Sequence, residues 1–140
     1  MKLNSEKLSI LTLIKLDAEA AFERIYKRKK EYLLILSTKR TREHLKDIFR
    51  TRFFDIHPSD LKLCSSELQI EADRFYRGMD SMKWYLNSTE DMPQTIEDKM
   101  EPLLKEFKGN FDQLMLYLEA ETQGEEQFSD PDIPQIENIS

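Results

Sequence analysis

The residues of this chain best suited to binding chemistry are eleven lysine and arginine side chains between positions 24 and 52, a stretch with only three acidic residues. Cationic side chains at this density attract anionic partners. We therefore treat them as a candidate basic face, defined by these members: Arg24, Lys27, Arg28, Lys29, Lys30, Lys39, Arg40, Lys46, Arg42, Arg50 and Arg52.

Three uses of the basic face are open: a solvated or internally paired surface, a docking surface for an acidic protein, or a site for nucleic acid or anionic lipid. Nucleic acid would need phosphate contacts and, for single strands, aromatic stacking. The neighbouring aromatic residues fall on apolar helical stripes, which indicates a core position, and the isoelectric point is about 5.1. An acidic protein is therefore the favoured partner, and nucleic acid is the alternative.

The second half of the chain has the opposite charge. Residues 61–140 carry 18 acidic and 7 basic side chains, and residues 119–140 carry seven acidic and no basic ones. Evenly spaced apolar residues in the last part are typical of a peptide that docks in extended form, although a solubilising disordered tail has the same composition. The candidate docking residues are Phe128, Ile133, Ile136 and Ile139. A tail of this kind could also fold over the basic face and compete with an acidic partner.

A third candidate is a groove near Gly78. Flexible thioethers and aromatic rings beside a small residue can form an adaptable binding surface for a helix. The alternative is that the two methionines belong to the core and only the aromatic side chains face outward. The candidate groove residues are Met79, Met82, Trp84 and Tyr85.

Catalytic and metal-binding patterns are weak. His44 and His57 are the only histidines and neither has the Glu-x-x-His spacing of di-iron bundles; His44 is expected to be an exposed helix residue. Cys64 lies on an apolar stripe, where a buried unreactive thiol is expected. We expect a non-enzymatic protein with no metal and no cofactor.

The elements that must position these residues are helices. Three glycines and five prolines in 140 residues are too few for many tight turns. The 3–4 spacing of apolar residues predicts a first long helix, in which 32–38 is favoured as helix over strand, then a helix over about 38–56 ending at His57–Pro58. A third helix follows over about 61–86, and a fourth starts after the linker 87–95. Pro102 should kink or restart the fourth helix, and Gly124 should end it.

The predicted architecture is all-α: an antiparallel up-and-down bundle of about four helices over residues 1–122, followed by an extended acidic tail over residues 123–140. No uninterrupted apolar run of membrane-spanning length exists, and a cytoplasmic location is expected. The leading functional hypothesis is a protein-interaction module, such as an adaptor, a chaperone or a regulatory subunit. A homodimer would form if the third and fourth apolar stripes exceed what one bundle covers.

Overall fold

A computed structural model of the chain describes the backbone of residues 2–129 and the side chains of residues 5–124. Within this range every regular element is helical, so the predicted all-α class is confirmed. A π-helical turn at Glu23–Lys27 and a 3₁₀ turn at Phe53–Asp55 accompany the α-helices. The α-helices are α1 (Lys2–Phe22), α2 (Lys29–Lys39), α3 (Leu45–Ile48), α4 (Pro58–Leu61), α5 (Ser66–Ser88) and α6 (Pro93–Ser129).

Helices α1 and α2, joined by the π turn, run alongside α6 in the opposite direction. Lys7 near the start of α1 forms an ion pair with Glu121 near the end of α6, at 3.2 Å between Nζ and Oε2. At the end of α1 the ring of Phe22 stacks on that of Phe111, with centroids 4.1 Å apart. The prediction of helix rather than strand for residues 32–38 is confirmed, because they lie within α2.

Helix α5 is also antiparallel to α6, and it shows the apolar stripe that its sequence predicts. Ser65 caps α5 by accepting a hydrogen bond from the amide of Leu68. The carboxylate of Glu121 in turn accepts hydrogen bonds from the Ser65 amide (2.8 Å) and hydroxyl (2.5 Å). The stripe faces α6 and is buried at Leu68, Ala72, Phe75, Met79, Met82 and Leu86.

The predicted second helix is the main correction. Residues 40–65 contain only α3, the 3₁₀ turn and α4, so most of this segment is not regular helix. Arg40 ends α2 in the left-handed region, with φ of 53°. The apolar side chains at 3–4 spacing, Leu45, Phe49 and Phe53, are nevertheless buried. The helical pattern therefore identified core residues correctly but not their backbone conformation.

The predicted stop at Gly124 is wrong, because α6 is one continuous helix from Pro93 to Ser129. For the same reason the helix does not restart at Pro102, and the kink expected there as the alternative stays a prediction. Pro102 and Asp98 are both exposed, so water can bind the carbonyl that lacks its helical donor. No glycine in the described residues has a positive φ, so Gly124 does not adopt the left-handed conformation of a helix stop. Glycine within a helix costs only about 1 kcal/mol relative to alanine. Residues 130–140 of the predicted tail lie outside the described residues.

The segment after α3 is held by one carboxylate, that of Asp17 on α1. Its Oδ2 accepts hydrogen bonds from the hydroxyls of Thr51 (2.5 Å) and Tyr76 (2.7 Å), and its Oδ1 accepts one from the amide of Arg52 (3.0 Å). Tyr76 is fully buried, and burial, followed by its bond to Asp17, raises the pKa of its phenol. Asp17 therefore joins α1, the 51–52 turn and α5 at one point.

Replacing this carboxylate should destabilise the fold. Asp17→Asn removes the charge and faces an amide NH₂ toward groups that are themselves donors, so we expect a loss of about 2–3 kcal/mol in the free energy of unfolding. Urea denaturation followed by circular dichroism measures this loss. Asp112→Asn is the matched control, because Asp112 is exposed and pairs only with Lys108 on its own helix. Equal stability of the two variants would contradict the assigned role of Asp17.

Candidate anion-binding cleft

The structure divides the candidate basic face into three groups. Two arginines donate to main-chain carbonyls of other elements, namely Arg24 and Arg42. Three residues contact side chains of the π turn, at Glu23 or Tyr26: Lys27, Arg28 and Lys29. The others are exposed and form no ion pair within the described residues: Lys30, Lys39, Arg40, Lys46, Arg50 and Arg52.

Arg24 connects the π turn to the segment after α3. Its Nε donates to the carbonyl of Ile48 (3.1 Å) and its Nη2 to the carbonyl of Arg50 (2.7 Å). These bonds bring Arg50 beside Arg24. Burial lowers the pKa of the Arg24 guanidinium, and the positive charge of Arg50 lowers it further. The two cations therefore repel each other, and the nearby Asp17 carboxylate offsets part of that repulsion for Arg24.

A cleft of about 400 Å³ opens beside this pair. Arg24, Arg28 and Arg50 contribute three positive charges, and Glu31 and Asp47 contribute two negative charges. The remaining lining is apolar or aromatic and comes from α2 and α3, at Tyr32, Ile35 and Ile48, together with His44. We call this site the arginine cleft. Guanidinium groups can bind a carboxylate through two parallel hydrogen bonds, and the apolar lining suits a neighbouring apolar side chain.

A second concavity of about 520 Å³ lies on the other side of the same two arginines. It adds Arg52 to Arg24 and Arg50, with Leu13, Leu16 and Ala20 of α1 as its apolar wall. Its one acidic residue is Asp17, whose oxygens already accept three hydrogen bonds. Arg24 and Arg50 thus stand between two adjoining depressions.

His44 is half-buried in a turn, which corrects the expectation of an exposed helix position. Its Nε2 lies 3.1 Å from the carbonyl of Tyr32 and donates to it, which leaves Nδ1 as the unprotonated nitrogen of the neutral ring. Nδ1 is buried and has no hydrogen-bond partner. The imidazole is thus fixed by its bond to Tyr32 and forms part of the wall of the arginine cleft.

The side chain of Arg42 contacts the end of helix α5. Its guanidinium donates to the carbonyls of Leu86 and Thr89, at the end of α5. The last carbonyls of a helix have no partner within the helix, so a cation that binds them stabilises the helix end. Two of the donors of the Arg42 guanidinium are therefore used within the chain in this conformation, and Arg42 does not line the arginine cleft.

The four candidate groove residues do not line one surface. Met79 and Met82 are buried in the core. Trp84 is exposed, with 70% of its surface accessible, and Tyr85 is half-buried and donates to Asp91 (2.9 Å). Of the four, only Met82 lines the concavity between α5 and α6, which has a volume of about 430 Å³.

The tail candidates are only partly covered by the structure. Phe128 belongs to the last turn of α6, and nothing is described of its side chain. Ile133, Ile136 and Ile139 lie outside the described residues. Their proposed docking therefore stays a prediction.

Cys64 is buried, as its stripe position predicts. Burial, and then the negative charge of Glu121, raise the pKa of its thiol to about 11. Among the described side chains of residues 5–124, no three His, Cys, Asp or Glu residues are grouped so as to hold a metal ion. None of the helices described is long and apolar enough to cross a membrane.

Comparison with protein families, with curated proteins and with solved structures finds no match to this chain. Its function must be inferred from its own geometry.

Sequence patterns did not reveal the residues that shape the arginine cleft. Asp17 and Thr51 are unremarkable polar residues in their local sequence, and their bond spans 34 positions. Tyr76 follows Phe75 in the α5 stripe and shows no sign of a polar partner. The only available signal was indirect: Asp17 is an acidic residue next to the buried Ala18 in a helix that is otherwise apolar on that side.

Two neighbouring arginines should respond differently to substitution. Arg42→Met removes the donors that cap α5 and should lower the free energy of unfolding by about 1–3 kcal/mol. Arg40→Gly also removes one charge, but it relieves a left-handed conformation that costs other residues about 1–2 kcal/mol. The greater backbone freedom of glycine in the unfolded chain offsets part of that gain, so stability should be equal or higher. Thermal and urea unfolding of both variants would test this, and a strongly destabilised Arg40→Gly would contradict the assigned backbone strain.

The thiol of Cys64 should react slowly in the folded protein. Raising its pKa from 9.0 to about 11 lowers the thiolate fraction at pH 8 about a hundredfold. Alkylation by iodoacetamide should therefore be at least about a hundredfold slower in the native protein than in guanidinium chloride. Because folding favours the neutral thiol, this group stabilises the fold fully below pH 9 and loses that contribution as the pH rises toward 11. Rapid native alkylation at pH 8 would show that Cys64 is accessible.

Proposed function

We propose that this protein is a non-enzymatic protein-interaction module, of the adaptor, chaperone or regulatory type, that binds an acidic segment of a partner at the arginine cleft. The observation that carries the proposal is the convergence of Arg24, Arg28 and Arg50 on one concavity. Residues 24 and 50 are far apart in sequence and are brought together by the Arg24 side chain itself, which donates to the Arg50 carbonyl.

The charge state of the cleft supports an anionic ligand. Glu23 pairs with Arg28 at 3.8 Å, but Arg50 forms no ion pair within the described residues. Exposed ion pairs at such distances contribute little, so a partner carboxylate can replace Glu23 at small cost. A ligand held between Arg28 and Arg50 would also relieve the repulsion that Arg24 experiences from Arg50.

The lining of the cleft favours a protein segment over nucleic acid. Apolar side chains of α2 and α3 stand beside the arginines, and the acidic Glu31 and Asp47 on the rim would repel a continuous phosphate backbone. An acidic residue followed by an apolar residue fits both features. In this proposal the arginine cleft is carried by an antiparallel helical bundle, in which the irregular segment 40–65 occupies the place of a fourth helix.

The test is binding of a fluorescent peptide with alternating acidic and apolar residues, followed by anisotropy. Arg28→Gln/Arg50→Gln should weaken binding at least about tenfold, equivalent to about 1.4 kcal/mol. Lys62→Gln/Lys83→Gln is the matched control, because it removes the same charge from two exposed lysines outside the cleft. Its affinity should stay close to that of the unmodified chain.

Two results would contradict the proposal. Equal affinity losses in both double variants would mean that only net charge matters. A single-stranded oligonucleotide that binds more tightly than the peptide, with an affinity that falls steeply with salt, would favour the nucleic-acid alternative.

A further inference from the structure

A separate cleft of about 510 Å³ lies between α2 and the first part of α6. It shares no lining residue with the arginine cleft. Helix α2 supplies one wall with Lys29, Lys30, Leu33, Leu34 and Ser37, and α6 supplies the other with Glu97, Glu101 and Leu104. We call it the leucine cleft, because three leucines line it between a basic and an acidic wall.

The apolar strip of the leucine cleft is incompletely covered. Leu104 is buried at its base, Leu33 is half-buried, and Leu34 is 61% exposed. A leucine this exposed at the edge of a concavity would be stabilised by burial against another apolar surface. The three leucines therefore leave apolar surface exposed, which a second molecule can cover.

The charged side chains of the two walls are not paired with each other. Lys29 and Lys30 form no ion pair with Glu97 or Glu101, and these four side chains have no other ion pair among residues 5–124. The ammonium of Lys29 lies over the ring of Tyr26, 4.6 Å from its centroid. Each wall thus presents charge that a partner of opposite sign can complement.

We propose that the leucine cleft is a two-fold interface between two copies of this chain. In a two-fold contact the basic wall of each copy faces the acidic wall of the other, so both walls are complemented at once and the leucine strips meet between them. An acidic ligand would match only the α2 wall, and a basic one only the α6 wall. A second copy matches both without any further assumption.

The expected dimer is a weak one. Stable interfaces bury about 800 Å² on each partner, and the leucine cleft with the adjoining outward side chains of α2 and α6 would provide the whole contact. A dissociation constant in the micromolar range is expected for a small contact of this kind. The two clefts share no lining residue, so dimerisation and partner binding can be tested with separate substitutions.

Charge exchange gives a sharp test by sedimentation velocity over a concentration series. The unmodified chain should shift from monomer to dimer as its concentration rises. Lys29→Glu/Lys30→Glu places acidic side chains on both walls, and Glu97→Lys/Glu101→Lys places basic ones on both. Each variant alone should be monomeric. Their equimolar mixture should dimerise again, because every wall then faces its opposite.

The control variant is Lys62→Glu/Lys83→Glu, which makes the same change in net charge on exposed lysines outside the leucine cleft and should dimerise like the unmodified chain. Circular dichroism of each variant confirms that it is folded. A chain that stays monomeric at high micromolar concentration overturns the proposal. So does a mixture of the two exchanged variants that stays monomeric, or a control variant that loses dimerisation as fully as the others.

Discussion

The carboxylate of Asp17 is the interaction on which the rest of the structure depends. It accepts hydrogen bonds from two hydroxyls and one amide that belong to the 51–52 turn and to α5. Because the acceptor is charged, each of these three hydrogen bonds is stronger than the same bond to a neutral acceptor would be. The turn that it holds leads directly to Arg50, and Arg24 binds the carbonyl of Arg50 from the other side. The arginine cleft exists because these two contacts fix the same short segment.

Arginines and lysines of the basic segment have separate roles. Arg24 and Arg42 each donate to two main-chain carbonyls, a geometry that the rigid fork of the guanidinium permits and that an ammonium group does not match. The lysines from residue 27 to residue 46 instead lie at the surface, or over an aromatic ring in the case of Lys29. A positively charged segment thus supports its own irregular backbone and still leaves cations at the surface.

Sequence periodicity predicted which residues are buried more reliably than it predicted their backbone conformation. The α5 stripe was correct because Ser65 caps it and nothing competes with its helical hydrogen bonds. The same spacing over 45–56 predicted a helix that does not form. There, the amide of Arg52 is bound by Asp17, 35 residues away, and the amide of Phe53 by the hydroxyl of Thr51. The bond to Asp17 spans 35 residues and leaves no periodic trace in the sequence, so the cleft that it helps to form could not be predicted, although its arginines belong to the candidate basic face.

The π turn between α1 and α2 has a consequence for how the sequence can vary. Such a turn holds one residue more than a regular helical turn and is formally an insertion in a continuous helix. The wide turn accommodates the extra residue locally, so it does not rotate the following residues by the roughly 100° that an extra residue in a regular α-helix would impose. Tyr32 and Leu36 of α2 therefore still face the core, and Arg28 still lines its cleft. Loss of one residue from Glu23–Lys27 should accordingly be tolerated better than loss of one residue from within α1 or α2, which would turn the apolar side chains beyond it away from the core.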